Sequence, residues 1–273
     1  MIFDLHTHTS ASDGVLSPQE LVNQAQLANV AVLAITDHDT LAGYQQASSL
    51  EPGTMQLVPG IELSAQWHKT GVHVVGLNVD PNSDSLRQII ATQQRTRRAR
   101  AVTIAERLAK RGLGNLFEQA SQVAELGNIG RPHFAHVLVT NGVVRTFSEA
   151  FNKYLGNGKI GDVPCTWLPL DDIVQGIRDA GGVAVLAHPD KYAVTHSKLV
   201  RLIDDFLQAG GQALEVISGR QTASRTRELG ALCSQKGLHA SCGSDFHKPG
   251  QSWADLGRHG LLPDNCRPVW DIW

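Results

Sequence analysis

The chain has 273 residues, 42% of them hydrophobic, which is enough for one large α/β domain or for a domain that carries an insertion. A formal net charge of −2 argues against a protein that coats long nucleic acid by bulk electrostatic attraction. The first ten residues do not resemble an export signal, and no apolar run approaches the roughly 20 residues that span a bilayer, so we expect a cytoplasmic protein with no membrane contact.

Short apolar runs alternate with amphipathic segments along most of the chain. Ser17, Pro18 and Glu20 predict a helix start, because they have the types of an N-cap, a first-turn proline and a capping-box glutamate. Strands that alternate with helices favour a mainly parallel sheet. Strands are predicted at 30–35, 72–77, 182–187, 213–217 and 238–242, and further helices near 40–50, 171–180, 197–209 and 222–236.

The alternation breaks between about residues 84 and 162, where the pattern becomes largely helical. We interpret this segment as an insertion in a closed or nearly closed α/β barrel. The predicted organisation is therefore a barrel domain made of residues 1–83 and 163–273, with residues 84–162 forming a mainly helical substrate cap.

The cysteines and histidines indicate different things. The four cysteines lie far apart and include no C-x-x-C pair, so they predict buried or half-buried thiols in a reducing compartment. Twelve histidines are an unusual number and indicate metal or proton chemistry. The cysteines are Cys165, Cys233, Cys242 and Cys266.

The predicted chemistry begins at His6 and His8. Residues two apart share one face of an extended strand, so both imidazoles can point at one metal ion, although an isolated H-x-H pair is more often two ordinary polar residues. Further ionisable residues follow the predicted strands, and the carboxyl ends of parallel strands converge on one rim of an α/β barrel. These residues are Asp37, His38, Glu62, His188, Asp245 and His247.

The full candidate set has six imidazoles, two aspartates and one glutamate, too many ligands for one ion, and it predicts a cluster of two or three metals. Asp13 follows a polar turn, where a capping role would be ordinary. The surrounding candidates favour the ligand role instead. His73 falls at the start of a predicted strand, so its position alone leaves a ligand and a core histidine equally open.

Five motifs carry a resemblance to a known family: DLHTHTSASDG, TDHD, PGIELS, AHP and SDFH. Their order and context resemble those of the polymerase and histidinol phosphatase (PHP) family, whose fold is a distorted seven-stranded β/α barrel of the TIM-like kind. The resemblance implies one metal at His6, His8, Glu62 and Asp245, a second at Glu62, His73 and His188, and a third at Asp13, His38 and His247. It thereby favours the ligand role for His73.

Within this family the chain resembles the stand-alone members of the ribonuclease AM type. The resemblance lies in segments 95–100, 130–135 and 151–155. It implies a hydrolase that removes the 3′-phosphate of nucleoside 3′,5′-bisphosphates and releases 5′-phosphorylated nucleotides from short RNA, and it implies no protein partner. The mixed imidazole and carboxylate ligands suit manganese, iron or zinc, and the resemblance implies manganese among these. The residues expected to act directly in catalysis are Asp13, His38, Glu62 and His247.

The insertion also indicates a phosphate-rich substrate. Eight basic side chains and one acidic side chain lie between residues 87 and 111, and guanidinium groups bind phosphate oxygens in pairs. We expect Arg87, Arg107, Lys110 and Arg111 to form a solvated helix face. The residues expected to contact substrate are Arg98, Arg100, Arg131 and His133.

Two positions depart from the pattern of the resembled subgroup. Asp162 stands where an aromatic residue is usual, which puts a base-stacking contact there in doubt. Lys191 stands where arginine is commoner, which replaces a planar fork with a point charge.

The predicted reaction is hydrolysis, in which a metal-activated water attacks phosphorus in line. One alternative is a histidinol-phosphate phosphatase, although a single phosphate does not require so many arginines. Another is a non-catalytic PHP module that binds metal. An amidohydrolase acting on C–N bonds would have a similar histidine-rich barrel rim.

Overall fold

The computed structural model describes residues 1–50, 53–125, 127–164 and 166–273. Its centre is a sheet of seven strands whose spatial order follows the order of the chain. The central strands are buried on both faces, which explains why they appear in the sequence as continuous apolar runs. The strands are β1 (Phe3–Asp4), β2 (Val32–Ile35), β3 (Gln56–Trp67), β4 (Thr70–Leu77), β5 (Val183–Leu186), β6 (Ala213–Ser218) and β7 (His239–Gly243).

Backbone hydrogen bonds join the first and last strands. Leu5 N donates to Cys242 O at 3.1 Å, and His8 N donates to Phe246 O at 2.9 Å. Of the seven strands, β4 runs antiparallel to both of its neighbours, while the other adjacent strands are parallel. The predicted fold class, a distorted seven-stranded α/β barrel, is confirmed, and the reversal of β4 is the distortion.

Nine α-helices connect the strands in the described residues. The predicted capping box at the first helix is present, because the Ser17 side chain accepts from Glu20 N and the Glu20 carboxylate accepts from Ser17 N at 2.8 Å. The helices are α1 (Pro18–Leu27), α2 (Ala42–Ala47), α3 (Asp84–Leu108), α4 (Phe117–Ala124), α5 (Arg131–Thr140), α6 (Phe147–Ala150), α7 (Leu170–Asp179), α8 (His196–Gln208) and α9 (Ala223–Gln235).

Helix α3 joins two hydrophobic cores. Near its start, Leu86 is buried in the core of the barrel beneath α7 and α8. In its second half, Ile104 and Leu108 are buried with Phe134 in a separate core formed by α3 to α6. A long helix with one end in each core fixes the position of the second core relative to the barrel.

The described cysteines are free thiols, as predicted. Cys233 and Cys242 are buried and Cys266 is half-buried. Burial raises the pKa of the Cys233 thiol to about 12, which keeps it protonated and unreactive. Cys165 lies outside the described residues. No helix in the described part of the chain is long and apolar enough to cross a bilayer.

Candidate active site

All nine predicted metal ligands lie together at one end of the barrel. We call this group of side chains the donor cluster. The reversal of β4 explains how His73 reaches it. Because β4 runs antiparallel to β3, the early residue His73 pairs with Ser64, near Glu62 on β3. A residue at the start of an antiparallel strand lies at the same rim as residues at the ends of parallel strands.

Four atoms of the donor cluster face one point. Nε2 of His6 lies 3.4 Å from Oε2 of Glu62 and 3.6 Å from Oδ1 of Asp245, and Nε2 of His8 lies 3.4 and 3.3 Å from the same two oxygens. Ligands bound tetrahedrally at about 2.1 Å are about 3.4 Å apart. These four nitrogen–oxygen distances match those between ligands of one ion, and His6, His8 and Asp245 are close enough to share one.

The second carboxylate oxygen of Glu62 faces a different pair of imidazoles. Oε1 lies 2.9 Å from Nδ1 of His73 and 2.8 Å from Nε2 of His188, and these two nitrogens are 3.3 Å apart. A carboxylate with one oxygen in each of two donor groups has the arrangement of a bridging ligand.

A third group surrounds Asp13. Its Oδ1 lies 3.4 Å from Nε2 of His247, 3.9 Å from Nε2 of His38 and 3.8 Å from Nδ1 of His8. His8 thus offers one ring nitrogen to this group and the other to the group around Asp245. The four side chains are close enough to share one ion.

Several buried atoms of the donor cluster have no hydrogen-bond partner among the described residues: Nε2 of His6, Nε2 of His8, Nδ1 of His38 and Oε2 of Glu62. Nδ1 of His38 does lie 2.9 Å from Oε2 of Glu62, but the two atoms lack hydrogen-bond direction. Each unsatisfied buried group costs about 1–3 kcal/mol. Divalent cations bound between these atoms would satisfy them, so the donor set fits metal ions.

The pKa values of the donor cluster show how strongly its charges interact. Burial, together with the nearby charge of His247, lowers the pKa of His8 to about 3, which keeps its ring neutral and able to bind metal. Burial alone would raise the pKa of Glu62, but the surrounding histidines, His38 first, hold it well below its usual range. The pKa of Asp245 is lowered in the same way, principally by His6.

Helix α3 reaches the barrel rim through Arg97. Its guanidinium contacts Asp39, the residue after His38, and donates to Oγ of Ser64 at 2.9 Å. It also lies 5.1 Å from the ring centre of Trp167. Sequence analysis did not single out Arg97, although it lies in the predicted basic segment.

Arg97 shares a narrow cleft with Arg100 and Arg131, and we call these three residues the arginine cleft. Arg100 donates to the Val163 carbonyl at 2.9 Å. Arg131 donates to the Leu155 carbonyl at 3.1 Å. It also lies 3.7 Å from Asp162, the residue at the position of the expected aromatic.

The other two predicted substrate contacts lie elsewhere. Arg98 is exposed, and its guanidinium lies 5.3 Å from the ring centre of Phe117 on α4, outside the arginine cleft. His133 is only 7% exposed and accepts a hydrogen bond from Gly130 N at 2.9 Å. Its ring also hydrogen-bonds the backbone of Ser12 and lies beside Asp13, so it supports the loop that carries Asp13.

Residues 4–165 match the PHP domain family. The chain belongs to this family. The resemblance predicted from the five motifs is thereby confirmed, and the nearly closed seven-stranded barrel is the fold expected for this family.

Proteins similar to this chain include enzymes named for both predicted activities. The chain is 41% identical over 276 residues to a 5′-3′ exoribonuclease of Salmonella typhimurium, with all of this chain and 94% of the relative covered. It is 38% identical to a 3′,5′-nucleoside bisphosphate phosphatase of Chromobacterium violaceum, with 98% and 94% covered. A solved structure described as an amidohydrolase from the same organism, with bound sulfate and no metal, is 38% identical and superposes with a TM-score of 0.92, with 99% and 95% covered.

Glu215 is a residue beside the donor cluster that sequence analysis missed. It is 2% exposed on β6, and its two oxygens bond Nδ1 of His6, at 3.0 Å, and the backbone N of His188. A carboxylate behind a metal-binding histidine fixes the ring and raises its basicity. The available signal was a charged residue inside the apolar run 213–217.

Asp37 lies near the PHP donor cluster but serves a different purpose. Its carboxylate accepts from Thr9 N at 2.7 Å, from the Thr9 hydroxyl at 2.7 Å and from the Ser12 hydroxyl at 2.6 Å. These bonds hold the loop before Asp13. The structure therefore places Asp37 as a support for that loop.

Lys191 also lies beside the PHP donor cluster. Its ammonium group contacts Oδ2 of Asp245, whose other oxygen faces His6 and His8. Lys191 thus fixes which oxygen of Asp245 faces the two imidazoles.

Proposed function

We propose that this protein is a cytoplasmic, metal-dependent phosphoesterase with two related substrates. It removes the 3′-phosphate from nucleoside 3′,5′-bisphosphates, and it releases 5′-phosphorylated nucleotides from short RNA in the 5′-to-3′ direction. Both reactions cleave a bond between a ribose 3′-oxygen and phosphorus in a nucleotide whose 5′-phosphate is free. One site can therefore serve both substrates.

The observation that carries this proposal is the position of the arginine cleft beside the donor cluster. Arg97 lies against Asp39, which directly follows the donor His38. A nucleotide with its 3′-phosphate over the donor cluster thus has guanidinium groups within reach of its 5′-phosphate. The planar donors of arginine suit phosphate oxygens. The predicted contacts Arg100 and Arg131 remain part of the proposal, and Arg97 joins them. Arg98 and His133 lie outside the arginine cleft and are no longer proposed as direct contacts.

The donor cluster fits two or three divalent ions, and we propose manganese, with iron or zinc as alternatives. When bound, such ions lower the pKa of water and neutralise charge on phosphoryl oxygens. The nine donor residues hold these ions. Four of them, Asp13, His38, Glu62 and His247, remain our proposed catalytic residues.

The protein's own residues prepare this site in two ways. Glu215 and Asp37 fix the ring of His6 and the loop of Asp13 before substrate arrives. Preorganised groups lose no free energy to reorganisation during the reaction. Asn128 and His133 then tie the cap to the barrel rim, since Asn128 donates to the carbonyls of His38 and Asp39 at 2.7 and 3.1 Å.

A comparison of three substrates tests the assignment. Manganese-loaded protein is incubated with adenosine 3′,5′-bisphosphate, histidinol phosphate and a 5′-phosphorylated RNA oligomer, and kcat/KM is measured for release of phosphate or mononucleotide. We expect the bisphosphate and the RNA to exceed histidinol phosphate by at least tenfold. A higher kcat/KM for histidinol phosphate would overturn the substrate assignment.

The arginine cleft is tested with Arg131→Ala. Because the lost guanidinium would bind the 5′-phosphate, KM for the bisphosphate should rise about tenfold or more, as expected for a charge-assisted hydrogen bond. KM for an aryl phosphate, which has no 5′-phosphate, should change less than about twofold. Equal changes for both substrates would refute the proposed binding of the 5′-phosphate by the arginine cleft.

A further inference from the structure

Trp253 is an exposed aromatic residue on a fixed backbone. Its side chain is 61% exposed, and the indole has no hydrogen bond or ring contact within the described residues. The next residue, Ala254, is 4% exposed, and Leu256 is 7% exposed. Because these two nearby residues are buried, the segment is packed against the protein and the exposure of the indole does not come from a loose loop.

The carbonyl of Trp253 is held by the loop after β6. Arg220 N donates to it at 2.7 Å. Gly219 has a φ of +61°, and a Cβ there would lie 2.3 Å from the Trp253 oxygen, so only glycine allows this approach. The two loops after β6 and β7 therefore form one unit that presents Trp253 outward.

This unit adjoins the donor cluster. Gly219 N donates to Gly243 O at 2.8 Å, and a Cβ on Gly243 would lie 2.5 Å from Cβ of His6. Trp253 also lies six residues after the donor His247. The exposed indole is thus linked to the donor cluster through direct backbone contacts.

The loops after β6 and β7 lie across the barrel mouth from the arginine cleft. Arg97 contacts Asp39, after β2, and Ser64, on β3. Counted around the barrel, the space between β6 and β7 is four strands away from the space between β2 and β3 in one direction and three strands away in the other. The two spaces therefore lie on opposite sides of the barrel. A chain whose 5′-phosphate lies in the arginine cleft and whose next phosphate lies over the donor cluster would continue toward Trp253.

The basic side chains near Trp253 also favour RNA as the ligand. Arg220 is exposed, and its side chain has no ion pair or hydrogen bond with any part of the chain that the structure describes. Lys248, which directly follows His247, lies over the ring of Phe147 at 5.0 Å. An aromatic face beside an unpaired guanidinium suits a nucleobase with an adjoining phosphate, the combination found in grooves for single-stranded nucleic acid.

We propose that Trp253 and Arg220 form a subsite for the RNA nucleotide on the 3′ side of the bond that is cleaved. The indole stacks on the base, and the guanidinium binds the next phosphate. This inference rests on the proposed exoribonuclease function and deepens it. A nucleoside 3′,5′-bisphosphate has no nucleoside in that position, so the subsite would distinguish RNA from free bisphosphate.

The test uses Trp253→Ala and Arg220→Gln with two substrates, a 5′-phosphorylated tetranucleotide and adenosine 3′,5′-bisphosphate. For RNA we expect KM to rise roughly 5- to 140-fold in Trp253→Ala, the range of base stacking on aromatic residues. The bisphosphate kcat/KM should stay within about twofold. Trp253→Phe keeps an aromatic face and should recover most of the RNA affinity. Exposed residues of matching type, Leu261→Ala and Arg258→Gln, serve as controls.

Binding without turnover separates this proposal from the proposed function. The Kd of a 5′-phosphorylated RNA tetramer with a 3′ fluorescein is measured by anisotropy in EDTA for each variant. A higher Kd in Trp253→Ala supports the subsite even if the wild-type protein cleaves only the bisphosphate. Cleavage of the bisphosphate without cleavage of RNA would refute the exoribonuclease function alone. An unchanged Kd, or equal losses for RNA and bisphosphate, would overturn the subsite.

Discussion

Glu215 holds Nδ1 of His6 at 3.0 Å while its other oxygen bonds the backbone of His188. One buried carboxylate thus orients two donors that belong to different metal groups. The order of the strands explains this geometry, because β6 lies between β5, which leads to His188, and β7, which neighbours β1 across the barrel closure. Glu215 is therefore a positioning residue for the whole donor cluster.

Glu215→Gln should lower metal affinity and activity by about 10- to 100-fold, the usual cost of losing the partner of a metal-binding histidine. The amide keeps the size of the side chain but lacks the charge that raises the pKa of His6. Isothermal titration with manganese measures the affinity. Glu228→Gln is the control, because Glu228 is an exposed partner of Arg225; a similar loss in both variants would contradict the role of Glu215.

The strand and helix pattern could be predicted because buried parallel strands have a distinct apolar signature. The direction of β4 could not be predicted in this way, since an apolar run of β-branched residues has the same composition in either direction. His73 was for this reason left open by its position alone. The β3–β4 pairing, which brings His73 beside Ser64, supplies the missing information.

The clustering of the donor residues could be predicted because the carboxyl ends of parallel strands converge on one rim of the barrel. The residues that support them could not. Glu215 and Arg97 act through partners more than 30 residues away in the chain, at His6 and Asp39. Helical periodicity does separate Arg97 from Arg98 by about 100°, but only the packing of α3 decides which of them faces the arginine cleft.

Arg97→Ala should reduce kcat/KM for adenosine 3′,5′-bisphosphate by at least tenfold, because it removes a charged donor of the arginine cleft and frees Asp39. Arg98→Ala removes the same charge from the next residue of α3 and should change kcat/KM less than about twofold. Steady-state kinetics on both variants measures the difference. A larger loss in Arg98→Ala would show that the cap closes differently over substrate.

Metal binding should stabilise the fold, because unpartnered buried atoms such as Nε2 of His6 and Nε2 of His8 gain a cation. At a manganese concentration 100-fold above Kd, the gain in the free energy of unfolding is about 2.7 kcal/mol. For a chain of this size, that corresponds to a Tm increase of about 5–10 °C. Differential scanning fluorimetry with EDTA or manganese measures this shift.

Glu62→Gln provides the matched variant for the thermal measurement. It removes the charge that both metal groups share, so most of the manganese-dependent Tm increase should disappear. Magnesium is the comparison ion, since a mixed set of imidazole and carboxylate ligands favours manganese over magnesium. A full Tm increase in the variant would mean that Glu62 does not bridge the ions.

Gly243→Ala should displace His6 within the donor cluster. A Cβ at this position would lie 2.5 Å from Cβ and 2.7 Å from N of His6, both closer than normal atomic contact. Because β1 and β7 are joined by backbone hydrogen bonds, neither strand can move away freely. We expect a loss of about 1–3 kcal/mol in the free energy of unfolding, typical of overpacking, and weaker manganese binding.

The control is Gly260→Ala, where the nearest atom lies 3.9 Å from the added Cβ. Urea unfolding and manganese titration should leave that variant close to wild type, and an equally mild effect of Gly243→Ala would show that His6 tolerates displacement.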